Sequence, residues 1–341
     1  MGYSLSVLNN IRANASNEYQ QRIPEATQAN IASIGQAFAE YTEVYNEFSA
    51  ALLHKIGKTL IESKLFKNRL APFKTGSVLT GQDVEEIFVE MAKSEGAYDN
   101  KGPNPLGRRN PPDTKVIYHR MNRQDYYVVS IGEMDFARAF RSEATLDAYI
   151  SALINSVYTA AEYDEWLAMK NVLATFKKAD GQCGYFDYTV PEITGDNAET
   201  TAKTFVKTLR KAVQDMSFFT NKYNAAGVMT ATKPENMVLF VNKDVLAEVD
   251  VEVLAKAFNM GKTDIQTRVV AMDDFGSLEN TYGILCDKDF FRVFDTLSKM
   301  EAQRNSQGLF TNYFYHVWQI LSASTFKNAV RFVKSGQASA Q

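Results

Sequence analysis

The chain has few of the residues on which metal centres, disulfide scaffolds and membrane anchors depend. Only two of its 341 residues are cysteine and three are histidine. Neither Cys183 nor Cys286 belongs to a CxxC pair, so we expect two reduced thiols and no disulfide. The sequence lacks an apolar run of about 18 residues and lacks a basic segment followed by an apolar one near the N-terminus, so it predicts neither a membrane span nor the usual secretory signal.

An excess of positive charge is also missing. The 37 lysine and arginine residues are outnumbered by 40 aspartate and glutamate residues, which gives a net charge of −3. No global positive field therefore draws the protein to nucleic acid. A hydrophobic content of 45% and a charged content of 23% are those of an ordinary globular protein, and the length suffices for two or more lobes.

The motifs of common active sites are absent or incomplete. The run MGKTD (260–264) resembles the end of a phosphate loop, but the glycine that such a loop requires five residues earlier is replaced by Lys256. His54, His119 and His316 form no metal-binding pattern, and no GxSxG elbow occurs. We therefore predict no enzyme and no catalytic, cofactor-binding or metal-binding residues. A soluble hydrolase with an unrecognised site is kept as an alternative.

The longest regular pattern is the stretch 142–180, which contains no glycine or proline. Its apolar residues recur with alternating spacings of three and four, which is typical of one face of an α-helix. Ser142 can cap its first turn, and two lysines precede Gly181 at the other end. The apolar stripe changes phase at Asp164 and Glu165. We therefore expect the packing partner of the helix to change halfway along its length.

Residues 73–130 form an excursion with glycine and proline concentrated in its middle. The β-prone runs GSVLTG (76–81) and TKVIYHRMNRQDYYVVSI (114–131) flank that middle, and we predict that they pair with one another. A two-stranded ribbon has no core of its own and is marginal in water. The excursion is therefore expected to need a partner surface.

Basic residues lie at the tip of this excursion. Lys101, Arg108 and Arg109 could bind phosphate, but the acidic balance of the chain favours a carboxylate on a neighbouring subunit. The candidate inter-subunit contacts are Lys101, Arg108, Arg109, Arg120, Arg123 and Trp166.

The remaining segments predict a mixed α+β protein. The first 26 residues are polar and suggest an arm with little core of its own, and a helical pattern follows to residue 68. The other predicted elements are a helix at 201–216, a buried strand at 237–242, a helical stretch at 244–259, strands at 268–272, 282–287 and 290–296, and long aromatic strands around a turn at 305–308.

Several long runs resemble a known family. EVDVEVLAKAFNMGKTD (248–264), CDKDFFRVFDTLSKMEAQRNSQGLF (286–310) and NYFYHVWQILSASTFKNAVRFV (312–333) are similar to the major capsid protein of the small phi-29-like podophages. DVEEIFVEMAKSEGAYD (83–99) and SALINSVYTAAEYDEWLAMK (151–170) agree with it as well. The resemblance extends from about residue 27 to residue 333, which makes it specific.

The resemblance implies the Hong Kong 97 capsid fold. Its expected parts are an N-terminal arm with helices (1–72), an E-loop (73–130), a peripheral domain with a spine helix (131–200), an axial domain (201–289), strands returning to the peripheral domain (290–334) and a disordered tail (335–341). The immunoglobulin-like domain that some relatives carry is not expected within this chain.

The function that the resemblance implies is structural. Copies of the chain would assemble, with a scaffolding protein and around a portal protein, into pentamers and hexamers of an icosahedral virion shell. The shell would form in the host cytoplasm and hold double-stranded DNA by confinement, without a membrane. An encapsulin-like nanocompartment of the same fold, which encloses protein cargo, is the alternative.

Overall fold

The computed structural model describes residues 3–41, 43–48, 51, 66–92, 94, 111–132, 134, 139–140, 143–192, 198–248 and 268–335. The α-helices in these ranges include α1 (Tyr3–Ala13), α2 (Asn17–Arg22), α3 (Ile31–Glu40), α4 (Glu143–Ala174, the long helix), α5 (Ala198–Ser217) and α6 (Lys243–Glu248), and residues 43–48 are also helical. The strands are β1 (Gly76–Ser77), β2 (Val84–Val89), β3 (Thr114–His119), β4 (Arg123–Gly132), β5 (Phe186–Val190), β6 (Met237–Asn242), β7 (Val269–Met272), β8 (Thr281–Asp287), β9 (Phe291–Asn305), β10 (Phe310–Ala323) and β11 (Ala329–Lys334). The α+β class is confirmed.

The long strands form a four-stranded sheet in the order β1-β9-β10-β4. β9 and β10 make an antiparallel hairpin in which Asn305 lies opposite Phe310. The Asn305 Oδ1 accepts hydrogen bonds from the backbone N–H groups of Gln307 and Gly308, both at 3.0 Å, so the asparagine side chain stabilises the turn. The turn expected at 305–308 is confirmed.

The second sheet has five strands in the order β5-β11-β8-β6-β7. β6 is nearly all buried, as its unbroken apolar run predicts. α5 packs on this sheet, with Phe205 and Leu209 in one core with Leu239 and Phe332. β11 pairs with β5 and β8, so the last strand of the described chain belongs to this five-stranded sheet.

The long helix ends at Ala174, six residues before the predicted boundary. Beyond it the chain folds back in a tight turn, where Lys177 pairs with Cys183 as an isolated β-bridge. Gly181 supplies the positive φ of 85° that this turn needs. The Tyr185 hydroxyl donates to the Leu173 carbonyl at 2.8 Å, which satisfies one of the last helical acceptors. The helix therefore ends before the two lysines that predicted its C-terminus, because the aromatic residues that follow it are buried.

The packing partner of the long helix changes near Asp164, as the phase change predicts. Before it, the Tyr158 and Tyr315 rings lie 4.9 Å apart, so the helix faces β10. After it, Met169 and Leu173 are fully buried in one core with residues of the five-stranded sheet such as Phe240. The second half of the helix is thus built into the core of its own chain.

Within the described part of the first 26 residues, two helices form in place of the expected arm with little core. Leu5, Leu8 and Ile11 are buried with Ile34 and Phe38 of α3 in one core. Their spacing of three is helical, but the polar composition around them suggested otherwise. The Asn9 side chain accepts from the Ala26 N–H at 2.7 Å and donates to the Ala26 carbonyl at 3.0 Å. This polar residue therefore joins α1 to the segment that follows α2.

The predicted strand pairing of the excursion was wrong in its first arm. β1, within GSVLTG, pairs in parallel with Phe294 and Asp295 of β9. The strand that pairs with β3 is β2, and β4 belongs to the four-stranded sheet. The ribbon is therefore shorter than 73–130.

Among the helical predictions, 201–216 is confirmed by α5. The stretch 244–259 is helical to Glu248. Residues 249–267 lie outside the described part of the chain, as does the tail beyond residue 335.

Candidate functional site

The β2–β3 ribbon, which we define as Val84–Val89 with Thr114–His119, has two faces of different character. The antiparallel register sets Ile87 opposite Val116 and Phe88 opposite Lys115. Because side chains alternate between faces, these two pairs point in opposite directions. The inner face carries Val84, Glu86, Phe88, Lys115, Ile117 and His119, and the outer face carries Glu85, Ile87, Val89, Thr114, Val116 and Tyr118.

The outer face is apolar and open to solvent. Ile87, Val89, Val116 and Tyr118 are between 42% and 58% exposed, and Met91 beside them is 57% exposed. Contiguous exposed apolar side chains of this kind mark an interaction surface in a folded protein. The two strands of the ribbon have no core between them, so their outer face is a surface that another molecule can cover.

The inner face is fixed to the body of the chain. The Phe88 and Phe326 rings lie 5.4 Å apart, and the Lys115 Nζ donates to the Ala226 carbonyl at 2.9 Å. The Glu86 carboxylate accepts from the Arg292 Nη2 at 2.6 Å. One face of the ribbon thus finds a partner surface within its own chain.

Glu86 is the centre of this anchor. Its Oε1 also accepts from the Ser324 hydroxyl at 3.0 Å, and its Oε2 lies 3.2 Å from the His119 Nε2. Burial alone would raise the pKa of Glu86, but the hydrogen bonds from His119, Arg292 and Ser324 lower that pKa to about 2. The carboxylate is therefore charged at any physiological pH.

His119 also lies 2.8 Å from the Ser322 hydroxyl through its Nδ1. Ser322, His119 and Glu86 are thus linked by hydrogen bonds in the order found in a hydrolase triad. The His119 side chain is only 2% exposed, and Ser322 donates to the Arg292 carbonyl at 3.0 Å while Arg292 holds the glutamate. With the imidazole closed off from substrate, this trio acts as a structural anchor.

The long helix carries a second exposed apolar surface. Tyr163 is 47% and Leu167 is 37% exposed, whereas Trp166 and Met169 in the same part of the helix are buried. Positions 163 and 167 are one helical turn apart and share a face. We call Tyr163 and Leu167 the helix stripe.

The candidate inter-subunit contact residues that the sequence predicted differ in exposure. Arg120 has a side chain that is 75% exposed and lies 3.1 Å from Asp83. Arg123 and Trp166 are only 6% and 7% exposed within the chain, so they offer little surface to a neighbouring subunit. Arg123 is held by hydrogen bonds inside the chain, and Trp166 belongs to the core. Lys101, Arg108 and Arg109 lie outside the described residues.

Three aspartates in the second half of the chain, two of them adjacent, have partners within the chain. Asp273 and Asp274 receive the Lys170 ammonium at 3.2 Å and 3.0 Å, and Asp287 accepts from Thr232. The ranges that the structure describes contain no group of three or more His, Cys, Asp or Glu side chains suited to a metal ion. In those same ranges, each helix is too short or too polar to span a bilayer.

The fold is that of phage capsid proteins. The capsid structure of Staphylococcus phage Andhra aligns with a TM-score of 0.65 at 13% identity, over 82% of this chain and 87% of that one. A chain from the structure of the head fibre and inner core protein of bacteriophage P68 aligns with a TM-score of 0.57 at 12% identity, over 81% and 88%. Identities this low show the fold alone, and the fold defines the class of Hong Kong 97-type shell proteins.

The sequence comparisons are more specific. The model of the family "Phi29-like phage major capsid protein" matches residues 8–333. The major capsid proteins of Bacillus phages B103 and PZA are 37% and 34% identical over 97% of this chain and 73% of theirs. That of Streptococcus phage Cp-1 is 27% identical over 95% of this chain and 93% of its own.

The chain belongs to the phi29-like phage major capsid protein family. Its function is that of the head protein of a tailed phage, which as a homo-oligomeric shell is part of the virion. The nanocompartment alternative is not favoured. Membership of a family of structural capsid proteins also argues against the hydrolase hypothesis.

Proposed function

We propose that the outer face of the ribbon binds the helix stripe of a neighbouring subunit and that this contact builds the shell. Support comes from two apolar surfaces on different elements of one chain, the exposed outer face and the stripe of Tyr163 and Leu167. A contact between two different patches is heterologous, so repeated copies generate rings when the rotation closes. Closure at five and six copies gives pentamers and hexamers.

The proposed domains follow the two sheets. The four-stranded sheet with the long helix is the peripheral domain, and the N-terminal helices pack beside it through Ile131 and Tyr313. The five-stranded sheet with α5 is the axial domain, at the centre of each ring. The ribbon at 84–119 is the E-loop, and Arg120 at its base is an inter-subunit contact.

The partners in this proposal are a scaffolding protein during assembly in the host cytoplasm, a portal protein at one vertex and packaged double-stranded DNA. A net charge of −3 supports DNA retention by confinement, because affinity for the backbone requires basic residues that release counterions.

Negative-stain microscopy of the protein expressed with the scaffolding protein of its own phage tests the proposal. We expect closed shells of uniform size that enclose scaffold. Shells that enclose an enzyme without scaffold would favour a nanocompartment. A monomer or small oligomer by light scattering, under the same conditions, would contradict a shell-forming function.

The ribbon contact is tested by Ile87→Glu, with Ile87→Leu as the matched control. The glutamate places a charge in an apolar interface and should abolish closed shells, whereas leucine keeps the apolar volume and should permit them. Leu167→Glu should have the same effect from the other side. Normal shells from both glutamate variants would refute the contact.

A shortened chain provides an independent test. Val84 lies directly opposite His119 in the ribbon register, so an Asn-Gly turn can replace residues 85–118 without moving the stems. We expect this variant to keep the circular dichroism spectrum of a folded subunit and to form no shells. Recovery of normal heads would contradict the E-loop assignment.

A further inference from the structure

A partly buried polar cluster lies where the ribbon joins the body, beside the phase change of the long helix. We call it the root cluster. Its members are Asn68, Lys74, Arg123, Tyr127, Asp164, Glu165, Asp295 and Gln319. The chain leaves the body through Asn68 and Lys74 and returns through Arg123 and Tyr127, so the cluster contains both stems of the excursion.

Glu165 holds the outgoing stem. Its Oε1 accepts from the Asn68 Nδ2 at 2.7 Å, and its Oε2 accepts from the Lys74 Nζ at 2.9 Å. The Lys74 ammonium also lies 2.7 Å from Asp295 on β9. Glu165 is 8% exposed, so one carboxylate in the middle of the long helix fixes this stem at two residues.

The returning stem reaches the same helical turn. The Arg123 Nη2 donates to the Tyr127 hydroxyl at 2.9 Å, and that hydroxyl donates to the Asp164 carboxylate at 2.8 Å. The Arg123 Nη1 donates to the Gln319 Oε1 at 2.7 Å, and the Gln319 Nε2 donates to Glu165 at 2.6 Å. The two stems are thereby joined through adjacent residues of one helix.

The backbone around Gln319 is shaped for this role. The register of β10 against β9 shifts between Trp318 and Gln319, and such a bulge redirects a side chain locally. Gln319 is 1% exposed and has partners for both ends of its amide. A fully connected network of this kind fixes geometry, whereas apolar residues of similar volume would serve stability as well.

We propose that the root cluster, centred on Glu165, fixes both stems against the long helix. It thereby sets the direction in which the ribbon projects from the body of the chain. The inference rests on the proposed function, because the direction of the ribbon matters for assembly only if the ribbon binds a neighbour. Glu165 is a positioning residue in this account, since it acts through Lys74, Asn68 and Gln319 and contacts no neighbour itself.

Glu165→Gln tests the proposal, and Lys170→Met is the matched control. Lys170 is on the same helix and loses an ion pair with Asp273 and Asp274, but neither partner belongs to a stem. The first measurement is hydrogen–deuterium exchange of unassembled subunits. We expect Glu165→Gln to speed exchange of the stem amides at 74–78 and 123–128 about tenfold, the effect of losing one charged hydrogen bond. Lys170→Met should leave those amides unchanged.

The second measurement is electron microscopy after assembly with scaffold. We expect open or irregular particles from Glu165→Gln and closed shells from Lys170→Met. Equal stem exchange in the two variants, or normal shells from Glu165→Gln, would overturn the positioning role. Should Glu165→Gln fail to fold, Tyr127→Phe removes the hydroxyl that links Arg123 to Asp164 and should show the same pattern in the returning stem.

The two proposals fail separately. If the natural sequence forms no shells with scaffold, the proposed function fails, and stem exchange alone then decides the positioning role. A general loss of melting temperature without faster stem exchange would mean that Glu165 serves overall stability, which also overturns the proposal.

Discussion

Glu86→Gln gives the sharpest test of how the ribbon is held. The hydrogen bonds in the anchor lower the pKa of Glu86 from 4.5 to about 2, and its side chain is 15% exposed. A shift of this size corresponds to about 3 kcal/mol of stabilisation of the folded state. Glutamine keeps the shape but removes the charge that holds Arg292, so we expect a loss of about 3 kcal/mol at neutral pH.

The sign of the pH dependence follows from the lowered pKa. The stabilisation is complete above pH 4.5, the ordinary value, declines as the pH falls, and is lost below the folded-state value of about 2. Within that window Glu86 contributes about 1.4 kcal/mol of lost stability for each pH unit. The Glu86→Gln variant should lack this contribution, so its stability should fall less steeply with pH.

Urea unfolding followed by circular dichroism at pH 6, 4 and 3 measures both effects. Glu85→Gln is the matched control, because Glu85 is the next residue on the same strand and lies on the solvent face. We expect that variant to follow the natural sequence. Equal pH slopes for Glu86→Gln and the natural sequence would refute the anchor as the source of the stabilisation.

Three further predictions concern the part of the chain that follows the long helix. Phe332→Ala should lower stability by about 4 kcal/mol in urea unfolding, because the ring is fully buried in the core; Phe218→Ala, at an exposed ring, should change it by less than about 0.5 kcal/mol, and equal losses would contradict this core. A thiol reagent should label Cys183 in the native protein and reach Cys286 only after unfolding, since burial raises the pKa of the Cys286 thiol well above its usual value; rapid labelling of both would contradict it. Gly283→Ala should lower the melting temperature, because a Cβ there would lie 2.8 Å from the Phe240 carbonyl oxygen, and an unchanged melting temperature would contradict this close approach.

Periodicity predicted the elements whose burial comes from one continuous apolar pattern. β6 is confirmed at the predicted residues because its run MVLFVN is buried on both faces. The long helix was predicted from its stripe, and the phase change at Asp164 correctly indicated a change of partner. Its end was missed because Phe176 and Tyr185 bury together after Ala174, a tertiary contact that has no local signal.

Composition led to a wrong prediction for the N-terminal segment, where polar side chains stabilise the fold. Asn9 and Arg12 hydrogen-bond to backbone groups at Ala26 and Ile23, so a polar N-terminal segment is a packed helical unit. The spacing of Leu5, Leu8 and Ile11 was the signal that could have revealed it.

The candidate contacts were selected by charge and size, and these do not reveal burial. Arg123 is held by Asp125, Gln319 and Tyr127. Gln319 is almost 200 residues away from Arg123 in the chain. Pairings at that separation follow from the fold, and a single sequence gives no pattern from which to predict them. The root cluster was therefore missed, although Asp164 and Glu165 interrupt the stripe that the sequence displays.

The most direct test of the account is a cryo-electron microscopy structure of the assembled shell. We expect rings of five and six subunits in which Ile87 and Val116 of each ribbon lie within about 4.5 Å of Tyr163 and Leu167 of a neighbouring subunit. A shell in which the outer face of the ribbon is exposed to solvent, or in which the helix stripe is covered by another element, would contradict the proposed contact.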